Sequence, residues 1–504
     1  MNSRCLSQAL LPVALPLILG VPSALGALPK DTEDAIEEVL VSGQFLSRDA
    51  LNSVKTPTPI VDVPQSLSIL TAEQIEQQAF RNFGDVVRYT PGLAISQGEG
   101  HRDAIIIRGV QTTADFFIDG IRDDVQYFRP FYNVEQIEVL RGPNALLFGR
   151  GGGGGVLNRV SKTAQIDEQF TTFSGGIDTF SAYSGAIDSN IAISDAVALR
   201  VNGYYEELDN HRDFFDGTRY AVNPTLTAML DDETRVVLSY EYVDDDRVVD
   251  RGVPSQRVQD GPNVPLKGYD ETFFGSPSGN YTTLEAQLFR ARIEHRLSES
   301  MTANATLQYA DYDKYYQNLY PSDVVIVTDG NIETVELDGY SDPTQRENLI
   351  FQANLVAELR TGSLEHVLLL GVELGEQETS NSRYDNTFEA NGDDQLDFPF
   401  SDPLQIPSFA FDKLVRDRAS DVRSASVYLQ DQIDLTEQFK LVLGLRYDSF
   451  DIEVNDFLEA ADGDDVDGRF DRKDTETTPR LGFIYKPAEN MSIYASYSET
   501  FLPR

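Results

Sequence analysis

Two rhythms of apolar and polar residues divide the chain. From about Gln169 onward, segments of ten to fifteen residues alternate with period two between polar turns. In Ala196 to Glu206, Val197, Leu199, Val201 and Tyr205 share one face, while Arg200, Asn202, Tyr204 and Glu206 share the other. Leu441 to Asp448 repeats the scheme, with Leu441, Leu443, Leu445 and Tyr447 opposed to Val442, Arg446 and Asp448. Successive side chains of a strand point to opposite sides, so this alternation predicts roughly thirteen half-buried strands. Short turns such as Ser194-Asp195, Asp231 to Glu233, Thr361 to Ser363 and Pro487 to Asn490 take turns with long acidic connections, for example Asp246 to Tyr281 and Thr379 to Asp421. That asymmetry suits an outer-membrane barrel. A secreted sandwich or propeller also alternates, but it does not call for strands this long with tyrosines near their ends.

Upstream, Leu67 to Val160 follows a different pattern. Short apolar strands at Leu67 to Leu70, Ile105 to Arg108, Phe116 to Ile118 and Ile137 to Leu140 are separated by small helices. Thr71 to Gln74 has the form of a capping box, and Phe83 opens a second helix that Pro91-Gly92 ends. This part reads as a small α+β domain.

Composition narrows the class. The chain has 504 residues and a formal charge of −41, with 82 acidic against 41 basic side chains and no basic stripe, which argues against a nucleic-acid partner. Residues 1–27 read as a signal peptide: Arg4, an apolar stretch from Leu10 to Val21, then Ser23 to Ala27 as a small-residue cleavage site. Cys5 is the only cysteine and lies inside that leader, so disulfides and cysteine metal sites are excluded from the mature chain. Beyond the leader no apolar run reaches the ~18 residues of a helical span.

The run Gly151 to Gly155 raises a separate question. Gly149, Gly151 and Gly154 formally satisfy a dinucleotide fingerprint, but Val156 to Val160 reads as a strand where that fold requires a helix, and Ser161-Lys162 is in the wrong order for a phosphate loop. Apolar flanks on both sides point instead to a tightly packed corner.

Several motifs in register then become recognisable: Val63 to Ser66, Tyr89 to Leu93, Ile107 to Gly109, Phe117 to Ile121, Val134 to Pro143, Leu147 to Gly149 and Gly154 to Val156. In this order they resemble the plug of TonB-dependent outer-membrane siderophore receptors. The resemblance implies an all-β membrane barrel, 22-stranded in the family, enclosing a small α+β plug. The expected domains are a signal peptide (1–27), a periplasmic segment (28–60), a plug (61–165) and a barrel (166–504). With roughly thirteen strands and an end at Phe501 to Arg504, the barrel is expected to be incomplete at its C-terminal side. Glu37, Glu38, Val39, Leu40, Val41, Ser42 and Gly43 resemble the TonB box, an extended segment read by strand addition.

The resemblance further implies a monomer in the bacterial cell outer membrane, in contact with its lipid. It would bind a ferric siderophore at the surface and import it with energy delivered through TonB, without catalysis, resident metal or other cofactor. Haem, cobalamin, a nickel chelate or an oligosaccharide are the alternative cargoes. A hydrolase lacks a nucleophile motif, and a passive porin would not carry a plug. By motif position, Gln97, His101, Arg102, Gln126, Tyr127, Phe128 and Arg129 lie on the apical plug loops, where cations and aromatic rings suit an anionic chelate. Arg108 and Arg141 resemble arginines that tie the plug to the wall, and Glu373 and Asp434 are their expected acidic partners.

Overall fold

A computed structural model describes residues 51–96, 98–257, 261–328, 331–461 and 467–503. The TonB-box segment 37–43 and Gln97 lie outside the described residues. The first part contains strands β1 (Ser66–Thr71), β2 (Leu93–Ile95), β3 (Ile105–Ile107), β4 (Val110–Thr112), β5 (Phe116–Ile118), β6 (Ile121–Arg122), β7 (Val134–Arg141) and β8 (Gly155–Ser161). Its helices are α1 (Ala72–Gln77), α2 (Phe83–Arg88) and α3 (Ala145–Phe148). The central sheet runs β1-β7-β8-β5-β6, and β2-β3-β4 forms a small second sheet. Only the β5–β8 pair is parallel, so the sheet is mixed.

The expected capping box holds α1. The Thr71 hydroxyl accepts from the Gln74 backbone N–H, and the Gln74 side chain accepts from the Thr71 N–H, each at 3.3 Å. β7 is buried on both faces from Ile137 to Arg141. Ile137 and Val139 pack with Phe83, Val86 and Phe116 on the helix side. Leu140 joins Leu146, Phe148 and Val156 on the other, where Leu369 and Tyr428 of the wall close the cluster.

Among the described residues the wall is one antiparallel sheet of 15 strands. Two of them, Thr334–Ser341 and Leu396–Pro399, belong to long connections, and the other thirteen follow one another from Phe170–Ile177 to Met491–Ser498, in line with the alternation count. Strand Leu364–Phe388 shows where lipid begins and ends. Leu370, Val372 and Leu374 are exposed outward while Glu373 and Gln377 face in, and the outward positions then change to Glu376 and Glu378. Its 25 residues span about 80 Å at ~3.3 Å each, far more than the ~10 residues a bilayer needs. The surplus rises beyond the membrane. There the long connections pack around their own core of Phe274, Leu319, Leu337, Phe388 and Phe398 rather than hanging free in water.

The glycine corner is as tight as the flanking residues suggest. Gly149 sits at φ 73°, and a Cβ there would stand 2.8 Å from Nη2 of wall residue Arg446. Gly155 has φ 148° and would drive a Cβ into the carbonyl oxygen of Leu140. Side chains are excluded at both positions by conformation and by space.

Candidate functional site

The site is the lumen above the plug, and its floor is built from the β2–β3 and β6–β7 connections. Glu99, in a left-handed conformation at φ 57°, organises the first of these. Its carboxylate accepts from Arg102 Nη2 at 2.9 Å and lies 3.4 Å from His101 Nε2. It also accepts the Tyr340 hydroxyl at 3.2 Å, while the Glu99 carbonyl oxygen accepts from Tyr316 at 3.4 Å. The hydrogen bond from His101 is the main reason the Glu99 carboxyl is held well below the usual range. Burial pushes the His101 imidazole far down, and the nearby Lys314 charge adds to this. The imidazole is therefore neutral at physiological pH, and its ring packs 3.9 Å from that of Tyr316.

The second connection is built on Asp123, whose side chain is fully buried. One oxygen accepts from Arg129 Nε (2.8 Å), Arg159 Nη2 (3.0 Å) and the Tyr127 hydroxyl (3.0 Å). The other accepts from Tyr312 of the wall at 3.0 Å. Burial raises the Asp123 carboxyl, but the Arg129 and Arg159 charges outweigh it and hold the group ionised below the ordinary carboxylate range.

Between plug and wall the charges run opposite to the expected sense. Plug carboxylates meet wall cations: Asp119 pairs with Arg290, Asp124 with Arg346 (3.3 Å), and Asp62 with both Lys440 (3.1 Å) and Lys486 (2.7 Å). The reverse polarity occurs at Arg81–Glu206 (3.4 Å) and Lys162–Asp188 (3.0 Å). Lys55, pushed down to about 7 mainly by burial, donates to the Leu147 carbonyl (2.7 Å) and to Tyr428 of the wall (3.2 Å).

Several expected roles are thereby corrected. Tyr127 and Arg129 lie on the predicted loop, but at 3% and 0% exposure they are the buried partners of Asp123 and present nothing to a ligand. Phe128 is half-buried beneath the Arg247 guanidinium, 4.8 Å from its ring. Gln126 is exposed and donates to Thr113, and His101 and Arg102 reach the vestibule floor already engaged with Glu99. The anchoring assignments fail for a different reason. Arg141 stays within the plug, donating to the Pro91 carbonyl (2.7 Å) and Ser68 (2.8 Å), and exposed Arg108 has no carboxylate partner among the described residues. Glu373 pairs with Arg446 (3.2 Å), wall to wall. Asp434 binds Lys440 (2.8 Å), which in turn holds Asp62.

The walls of the vestibule were missed in sequence. Tyr316, Tyr320 and Tyr340 converge there, with ring centroids 5.5 Å (Tyr316–Tyr340) and 6.1 Å (Tyr320–Tyr340) apart. Arg251 lies 4.0 Å over Tyr320, and Arg383 lies 4.1 Å over Tyr340. One signal was present: Tyr312, Tyr316 and Tyr320 recur on one parity of a single strand, the lumenal one.

Comparison with known proteins agrees with this architecture. The family model described as "TonB dependent receptor-like, beta-barrel" matches residues 221–504, and that for the "TonB-dependent Receptor Plug Domain" matches residues 59–156. The chain belongs to the TonB-dependent receptor family, proteins of the bacterial outer membrane. It is 28% identical to the probable TonB-dependent siderophore receptor PiuA of Acinetobacter baumannii, over 95% of this chain and 66% of that protein. The crystal structure of that receptor superposes with a TM-score of 0.81, covering 91% of this chain and 67% of the other. The ferrioxamine B receptor of Salmonella typhimurium is 26% identical, over 90% of this chain and 63% of the relative. The chain thus spans about two thirds of the length of the relatives it matches.

Proposed function

We propose that this chain forms the plug and much of the wall of a receptor that binds a ferric siderophore at the cell surface and imports it by TonB-coupled transport. The observation that carries the reading is the vestibule itself. Half-buried arginines and tyrosines converge directly above a plug that is fastened to the wall by ion pairs as well as by apolar contacts. Such fastening holds the plug firmly, yet each pair exchanges for water once the plug moves. The similarity to receptors named for siderophores supports the choice of cargo.

No covalent chemistry is required of the protein in this reading, and the iron arrives as cargo already chelated. Energy is needed because a site tight enough to collect a scarce ligand releases it slowly. Glu37 to Gly43 would supply the handle for TonB. Tyrosine fluorescence of the full-length receptor in detergent, titrated with ferric siderophores, tests the binding step. Saturable quenching by an iron-loaded chelate, and not by the iron-free chelator, is expected. A folded receptor that responds to no ferric chelate and does respond to haem or cobalamin would overturn the assignment of cargo.

A further inference from the structure

Glu138, in the middle of β7, is a buried carboxylate without a cation. It is 0% exposed and makes no ion pair within 4.0 Å among the described residues. Four donors take the place of one cation. Gln136 Nε2 (2.7 Å) and Asn158 Nδ2 (2.8 Å) come from the plug sheet itself. The other two are backbone N–H groups of a different segment, Asn52 at 2.7 Å and Ser53 at 3.0 Å. These residues belong to a short 3-10 turn, Asn52–Val54, closed by Lys55 in the left-handed region at φ 62°. The first N–H groups of such a turn have no acceptor within it, so the carboxylate satisfies them.

This turn opens the described part of the chain and follows the TonB-box motif at 37–43. A pull on that motif therefore loads the tethers one at a time, in chain order. Asn52 and Ser53 on Glu138 come first, then Lys55 on the Leu147 carbonyl (2.7 Å) and Tyr428 (3.2 Å), and later Asp62 on Lys440 and Lys486. When the turn leaves, Leu51 and Val54 give up an apolar cluster that includes Leu146, Phe148 and Leu369 of the wall. Glu138 then keeps two donors of four and still has no cation. A carboxylate so placed is costly until donors return. The same two N–H groups are the ones the chain can bring back. Hydrogen bonds weaken steeply with distance, so the turn is held rigidly until it is pulled clear and is drawn back when the pull ends.

Resting on the TonB-coupled reading, we propose that residues 51–55 form a self-closing latch, in which Glu138 and Lys55 are positioning residues that return the segment after each pull. TonB supplies only the opening stroke, and closing needs no partner.

The test follows one introduced thiol, since Cys5, in the leader, is the only cysteine of the sequence. Ser53→Cys places it in the latch, at a side chain that is 0% exposed and whose hydroxyl has no partner among the described residues. Its rate of labelling by a small maleimide, in the full-length receptor in cells without TonB, measures spontaneous opening. Glu138→Gln turns an amide N–H toward one pair of donors and is expected to speed labelling about 10- to 100-fold, the scale of a hydrogen bond to a charged group. Lys55→Met, which leaves Glu138 and the plug sheet intact, should speed it about 10-fold. Ala104→Cys, a buried plug position just before β3, should stay unlabelled in both variants and reports that the plug is folded. If it becomes labelled in Glu138→Gln, Lys55→Met alone decides. In cells with TonB, given ferric enterobactin, ferrichrome and ferric citrate together, the latch thiol should react, then regain protection once an uncoupler stops the pull, and regain it incompletely in Glu138→Gln. Labelling at the unmodified rate in both variants without TonB would overturn the latch. Labelling that TonB and the chelates do not raise, with the TonB-free rates as expected, would leave the latch standing and sink TonB-coupled siderophore import instead.

Discussion

Replacing Asp123 by asparagine removes the charge at the centre of the plug's apical hub. Arg129 and Arg159 are 0% and 3% exposed, so neither guanidinium can turn to water when the carboxylate goes. The amide oxygen can still accept from them if the amide nitrogen faces Tyr312, whose hydroxyl can rotate to accept in return. Hydrogen bonds then survive but the ion pairs do not. Breaking a buried pair by deleting one partner costs about 3–5 kcal/mol. Arg129 keeps a second carboxylate, Asp103, at 3.5 Å, which places the expected loss at about 3 kcal/mol. Local opening should therefore become about 100-fold more frequent. Hydrogen exchange of the full-length receptor in detergent reads this directly through β5 and β8, which the Arg159 contact joins to the hub. The pH dependence carries a definite sign. The folded carboxyl sits below its ordinary value of 3.8, so its contribution is complete above about pH 4 and is lost as the pH falls through the folded value. The gap between wild type and variant should close in acid. Exchange in β5 and β8 that changes less than about threefold at pH 7 would refute the hub as a stabilising element.

Other perturbations test separate links. Tyr312→Phe deletes one plug-to-wall hydrogen bond and should cost about 1 kcal/mol by thermal unfolding, with a smaller effect when added to Asp123→Asn, because the two share the bond. Gly149→Ala forces a Cβ against Arg446 in a backbone region that side chains avoid, and should lose about 1–3 kcal/mol by the same measurement. Asp62→Asn breaks the plug's ion pairs to Lys486 and to Lys440, which keeps Asp434, so hydrogen exchange should rise in residues 51–64 and stay unchanged in residues 98–103. On the outer surface, Leu370→Arg, deeper in the apolar stretch, should destabilise the wall by about 2–4 kcal/mol, whereas Leu374→Arg should cost about 1 kcal/mol or less and Glu376→Arg should be nearly neutral, which locates the edge of the lipid belt.

The wall was legible in sequence because a membrane barrel imposes a strict rule on every strand. Lipid demands apolar residues outside and the lumen accepts polar ones, so Arg200, Asn202 and Glu206, or Arg446 and Asp448, mark the inner face without any structure. The plug core and the α1 cap followed from equally local signals. The apical loops carry no period, and nothing local distinguishes an arginine that turns inward from one that faces a ligand. Arg129 and Arg102 read alike, yet one is sealed beneath Asp123 and the other borders the vestibule. The polarity of the plug fastening was hidden for a related reason. The partners Asp119 and Arg290 are 171 residues apart, and a chain this acidic offers too many candidate carboxylates for pairing to be guessed. The tyrosines at 316 and 320 were recoverable from strand parity, whereas the arginines above them, contributed by separate connections and strands, were not.

The most direct test of energised import is uptake of 55Fe by cells that lack their own siderophore receptors and express the full-length protein, supplied with ferric enterobactin with and without TonB. Accumulation that requires both the receptor and TonB, while surface binding persists without TonB, is the predicted result. Equal accumulation in the absence of TonB, or none with a receptor that binds the chelate at the surface, would contradict TonB-coupled import.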